Sequence, residues 1–194
     1  MNIPNRLTVL RIILAPIFLA VLAVDFPFNY FVSAIIFIVA SLTDMLDGQI
    51  ARRQNLVTDF GKFLDPIADK MLTEAAFLGM MFFEECYGML WVNFIILTRE
   101  FLVTSVRLMA ASKGGKVIAA NIWGKLKTVT QMTAIIMTLI FKGMLEFEVI
   151  SSIVWLKTSM VVLMNTAIWA SVVLTVISGI IYLIQNKESV GFKK

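Results

Sequence analysis

The chain has 194 residues, 59% of them hydrophobic, and 17 Lys+Arg against 13 Asp+Glu give a formal net charge of +4. It contains no histidine and a single cysteine, Cys86. That excludes imidazole-held zinc, Ser-His and Cys-His catalysis, and any disulfide within the chain, so a bound metal must be held by oxygen.

The hydrophobic share exceeds the roughly 45–50% of a soluble domain and falls in runs long enough to cross a bilayer. Six such segments, at residues 7–24, 28–51, 60–83, 89–111, 121–141 and 157–185, predict an all-α integral membrane protein with six transmembrane helices. The connections are short, so residues 1–194 are expected to form one domain. The basic start and first apolar run also suit a signal peptide, but the run is as long as a full span and no small-residue cleavage pair follows, so a retained helix is expected.

Basic residues set the orientation. Arg6, Arg11, Arg52, Arg53, Lys62, Lys70, Arg107, Lys113, Lys116, Lys125, Lys127, Lys187, Lys193 and Lys194 collect on one side, against only Lys142 and Lys157 on the other. Both termini and the 52–60 and 112–120 connections are therefore expected in the cytoplasm. The apolar stretch between Lys142 and Lys157 makes the last two segments the least sharply bounded, and a five-span count would reverse the carboxyl terminus.

The second and third segments carry the chemistry. Asp44 and Asp47 are three apart near the end of one, and Asp65 and Asp69 four apart near the start of the next; each spacing puts a pair on one helix face. Two antiparallel helices joined by a short link bring the faces together, so four carboxylates are expected to converge. An aspartate at the centre of a spanning helix costs about 2.5–3.5 kcal/mol, and a hard divalent cation, Mg²⁺ or Mn²⁺, would offset that and keep the carboxylates ionised. Interfacial pairing with Arg52, Arg53, Lys62 and Lys70 is the plainer reading, and suits one isolated aspartate better than four facing ones.

Gly48 and Ala51 continue the stripe of Asp44 and Asp47, leaving room for a ligand beside the metal or for close helix packing. Arg52 could set its guanidinium fork on a phosphate. Further along, Arg99 and Glu100 lie mid-span, where an ion pair or a substrate contact is expected. Arg107 lies two turns from Arg99 on one face, and Lys125 and Lys127 flank the same cytoplasmic turn. Together these cations could bind a phosphate, or be ordinary positive-inside residues. Glu74, one turn from Lys70, is expected to neutralise it.

Asp44, Asp47, Gly48, Ala51, Arg52, Gly61, Asp65 and Asp69 reproduce the D-x2-D-G-x2-A-R-x8-G-x3-D-x3-D pattern, and here the chain resembles the CDP-alcohol phosphotransferase family. Eight fixed positions coincide by chance on the order of once in 10⁹ windows. NIPNRLTVLR at the start, Thr98 to Glu100, and Gly124 to Thr128 resemble the branch that makes phosphatidylglycerophosphate.

The resemblance implies a six-helix fold, a homodimer, and a cavity facing the cytoplasm of a bacterial cell membrane. There the phosphatidyl group of CDP-diacylglycerol would pass to sn-glycerol 3-phosphate by direct in-line attack, releasing CMP. It implies Asp44, Asp47 and Asp65 as metal ligands, with Asp69 completing the site and acting as base. Asp44, Gly48, Ala51, Arg52 and Gly61 would hold CDP, and Arg107, Lys125, Lys127 and Arg99 the acceptor phosphate. Serine, inositol phosphate or phosphatidylglycerol are the rival acceptors, and a divalent cation transporter the rival from another class; no nucleic acid partner is expected.

Overall fold

The computed structural model describes residues 3–54, 59–112 and 122–186. Residues 3, 4, 44–54, 59–63, 65, 66, 69 and 110–112 are described as helical backbone only. Every regular element among the described residues is helical: α1 (Ile3–Ala23), α2 (Asn29–Gln54), α3 (Asp59–Gly79), α4 (Met89–Ser112), α5 (Ile122–Leu145), α6 (Glu148–Ser151) and α7 (Val154–Gln185). A single 3₁₀ turn, Met80–Phe82, follows α3. Six of the seven are long, and each overlaps one of the six apolar segments.

Among the described residues, four of these helices, α1, α4, α5 and α7, are long and apolar enough to cross a membrane. The described side chains of α2 end at Thr43, and Asn29–Thr43 is apolar. α3 carries Asp59, Lys62, Asp65, Asp69, Lys70 and Glu74 among its apolar positions. The ambiguous stretch after Lys142 resolves into the end of α5, the one-turn α6 and an early start of α7.

α1 packs against both α2 and α3, α5 lies against α7 and α2, and α4 lies against α7. Phe18, Phe37, Phe77, Met80, Ile96, Ile135, Leu139 and Ile168 fill the centre with essentially no exposed surface. Phe18 and Phe37 join α1 to α2 with tilted rings 5.9 Å apart. Outside, Phe82, Phe101, Ile122, Val149, Val154 and Trp155 are largely exposed. An apolar surface on this scale suits lipid rather than water.

Charge separates the two ends of the bundle. At one end Lys142 on α5 donates to both oxygens of Glu85, at 2.8 and 2.7 Å, and lies over the rings of Tyr30 and Phe83. Asn165 of α7 donates to the Glu85 carbonyl at 2.7 Å and accepts from the Tyr87 amide at 2.8 Å, fixing the turn before α4. That turn needs Gly88, whose φ of 70° is left-handed and which faces the Trp169 ring. The opposite end holds the aspartate pairs of α2 and α3 and a cluster of cations.

Candidate active site

Asp44, Asp47, Gly48, Ala51 and Arg52 fall in the last three turns of α2, and Gly61, Asp65 and Asp69 in the first three turns of α3. Both stretches are uninterrupted helix. The spacing of three in the first pair and four in the second therefore puts each pair on one face. The side chains of all eight residues lie outside the described ones, so the expected meeting of the carboxylates rests on this backbone placement. Four carboxylates on two continuous helices are a donor set for a hard divalent cation, and in that respect the residues fit one.

Lys70, the residue after Asp69, opens the part of the site whose side chains are described. It lines a cavity of about 260 Å³ built from four helices. α3 contributes Lys70; α4 contributes Arg99, Glu100, Thr104 and Arg107; α5 contributes Lys127 and Thr128; α7 contributes Ser178 and Tyr182. The α4 residues fall on two neighbouring i, i+4 rows, which is why one helix can supply so much of a wall.

A dense ionic cluster occupies this cavity. Glu100 Oε1 accepts from Arg99 Nη1 and from Lys127 Nζ, each at 2.7 Å, and Oε2 faces Lys70 Nζ at 3.2 Å. Lys70 also donates to the Thr104 hydroxyl and, at 3.4 Å, to the Glu100 carbonyl oxygen. The other arm of Arg99 donates to Ser178 Oγ at 2.8 Å, drawing α7 into the cluster. Arg99 reaches it because position 179 is glycine: a Cβ there would stand 2.9 Å from Arg99 Cγ. Below Lys127, buried Gln131 donates to Thr175 at 3.1 Å and ties α5 to α7.

Two polar atoms on this lining lack a hydrogen-bond partner among the described residues, Arg99 Nε and Tyr182 Oη. Both are buried, and an unpaired buried polar atom is costly unless a ligand or water completes it. Four cations against one acid, with donors left over, make the cavity suited to an anion with several oxygens.

Three of the four cations expected to bind a phosphate come together. Lys127 is buried in the wall and Arg99 partly so, and Arg107, on the same lining, is exposed. Lys125 is exposed and does not line the cavity, because two residues along a helix turn it some 200° from Lys127. Lys70 makes its close ion pair with Glu100, while Glu74 lies within electrostatic reach of Lys70 without a direct bond to it. A lysine placed N-terminal to its glutamate is the weaker arrangement of an i, i+4 pair, and Glu100 offers a second anchor beside it in Thr104. Lys70, Thr104, Ser178 and Tyr182 carried no signal as site residues in the sequence; their roles depend on contacts between helices.

The sequence profile of the CDP-alcohol phosphatidyltransferase family matches residues 1–177. The CDP-diacylglycerol–glycerol-3-phosphate 3-phosphatidyltransferase of Bacillus subtilis (strain 168) is 39% identical over 200 residues, covering 97% of this chain and 96% of that protein. Enzymes of the same name from Salmonella typhimurium (strain LT2) and Escherichia coli (strain K12) are each 41% identical over 138 residues, covering 69% of this chain and 74% of theirs.

Proposed function

The chain belongs to the CDP-alcohol phosphatidyltransferase family, and we propose that it transfers the phosphatidyl group of CDP-diacylglycerol to sn-glycerol 3-phosphate, giving phosphatidylglycerophosphate and CMP. The observation that carries the choice of acceptor is the cation-lined cavity that begins at Lys70, next to Asp69. A neutral or zwitterionic acceptor such as serine needs no such wall. A phosphate-bearing one does, and the Bacillus, Salmonella and Escherichia relatives are named for glycerol 3-phosphate.

In this reading Arg99, Lys127 and Arg107 bind the acceptor's phosphate, with Arg99 Nε and Tyr182 Oη free to complete its hydrogen bonds. Holding the phosphate there presents the acceptor's terminal hydroxyl toward α3. Asp69 takes the hydroxyl proton as the oxygen attacks the phosphorus that bears diacylglycerol, and the bond to CMP breaks in the same displacement. No nucleophilic side chain is needed, and the chain has neither a histidine nor an exposed thiol near the cavity.

Asp44, Asp47, Asp65 and Asp69 would hold Mg²⁺ or Mn²⁺, which when bound neutralises the pyrophosphate and stabilises the departing CMP. In the same reading Gly48, Ala51 and Gly61 would leave space for the cytidine nucleotide, and Arg52 would bind its phosphates. The protein acts as a single domain of six spans, both termini and the cavity facing the cytoplasm of a bacterial cell membrane, and pairs as a homodimer.

The test is CMP release by the detergent-purified protein with CDP-diacylglycerol and Mg²⁺ or Mn²⁺, offered glycerol 3-phosphate, serine, inositol phosphate or phosphatidylglycerol. Release is expected only with glycerol 3-phosphate and is lost in Asp69→Asn. Release with another alcohol overturns the choice of acceptor, and none with any of them overturns the reaction.

A further inference from the structure

Glu100 is the one acid on the described cavity lining, and it sits among the cations instead of apart from them. A carboxylate in an anion site repels the ligand that the site is built to hold. Its presence therefore needs a compensating role.

That role is visible in its bonds. Its two oxygens take cations from three helices, Lys70 of α3, Arg99 of α4 and Lys127 of α5. The side chains are withdrawn from solvent, Glu100 to 12% exposure, Lys127 to 10% and Arg99 to 15%. In such a low-dielectric setting like charges repel strongly and opposite charges hold firmly. Glu74 of α3 also lies within electrostatic reach of Lys70 and Lys127, but only Glu100 joins Lys70, Arg99 and Lys127 by direct bonds. Without it the three lose their shared acceptor, and an entering phosphate would have to gather them at an entropic cost.

The same carboxylate reaches the catalytic helix. Lys70 follows Asp69 in α3 and is anchored on α4 at Glu100 Oε2, at the Glu100 carbonyl oxygen and at Thr104. This fixes the offset between α3, with its aspartates, and the cation wall of α4 and α5. We propose that Glu100 is a positioning residue. It holds Lys70, Arg99 and Lys127 in the arrangement that an acceptor phosphate meets, and it sets the distance from that phosphate to Asp69. The inference rests on the acceptor reading given under Proposed function.

The experiment is steady-state CMP release by the full-length wild type, Glu100→Gln, Glu100→Asp and Thr104→Val, varying glycerol 3-phosphate and CDP-diacylglycerol in turn. Loss of charged hydrogen bonds predicts an acceptor KM raised about tenfold or more in Glu100→Gln, with kcat also lowered. The KM for CDP-diacylglycerol should stay within about twofold, since the residues assigned to the nucleotide lie on α2 and the first turn of α3 and none is bonded to Glu100 in this reading. Glu100→Asp, which keeps the charge, should recover part of the loss.

If Glu100 only tempers the positive charge of the cavity, its removal lowers the acceptor KM, and that result overturns the proposal. An unchanged acceptor KM overturns it equally. Should Glu100→Gln fail to yield a monodisperse protein, Thr104→Val decides: a smaller rise in acceptor KM supports the proposal and no change contradicts it. Lack of glycerol 3-phosphate-dependent release by the wild type removes the acceptor reading and this inference with it, whereas wild-type release with unmoved variants removes the inference alone.

Discussion

Arg99 lies across the face of α7 at Gly179, its Cγ 2.9 Å from the point where a side chain would begin. One missing methyl group thus lets a charged side chain from α4 cross α7 to Ser178 while its other arm meets Glu100. Gly179→Ala is expected to push Arg99 off Ser178 and to lower stability by about 1–3 kcal/mol, the usual cost of overpacking. Thermal unfolding in detergent would show the stability change. The acceptor KM, measured on the folded fraction, should rise several-fold more than the KM for CDP-diacylglycerol.

The oxygen-only donor set predicts which ions support turnover. Chelation should abolish CMP release, and Mg²⁺ or Mn²⁺ should restore it. Asp44→Asn and Asp65→Asn should each remove most of the restored rate. Full activity in a chelator, checked by metal analysis of the same sample, would show that the four aspartates act without an ion.

Cys86 lies at the other end of the bundle, in the turn before α4. The residue is 8% exposed. Burial, with Glu85 nearby as a smaller cause, pushes its pKa up to about 12. At pH 8 only about one thiol in ten thousand is then ionised, against roughly a quarter of an ordinary cysteine. Maleimide should label the folded protein very slowly, faster as pH rises, and rapidly once denaturant exposes the turn. Fast labelling at pH 8 in the folded protein would contradict the burial of this turn.

The long helices were legible because each apolar run is bounded by charge. Residues 89–111 became α4, Met89–Ser112, and residues 157–185 lie within α7, Val154–Gln185. The last two segments were the harder case, since the apolar stretch between Lys142 and Lys157 blurs their bounds, and it divides between the end of α5, α6 and the start of α7. The site divided the same way. Mid-span charges are rare enough that Arg99 and Glu100 stood out, and the i, i+8 relation of Arg99 to Arg107 held in three dimensions.

Interhelical partners were not legible. Lys70 looked like one more cation of the basic side, with Glu74 its natural neighbour, until α4 supplied a nearer acid. Ser178 and Tyr182 sit in an otherwise apolar run and gain meaning only where α7 meets Arg99. Arg11, counted among the topological cations, is buried in the bundle at 2% exposure. Side-chain periodicity along one helix gives a face, but which helix covers that face is decided by packing.

The most direct measurement is the pair of Michaelis constants in Lys127→Met beside Lys125→Met. Lys127 is in the cavity wall and Lys125 on the surface two residues away, so both variants lose one charge from the same turn of α5. If the cavity receives the acceptor phosphate, Lys127→Met raises the KM for glycerol 3-phosphate by about tenfold or more. It should leave the KM for CDP-diacylglycerol nearly unchanged, and Lys125→Met should have the much smaller effect. Equal effects of the two, or a change confined to CDP-diacylglycerol, would contradict the assignment of this cavity to the acceptor.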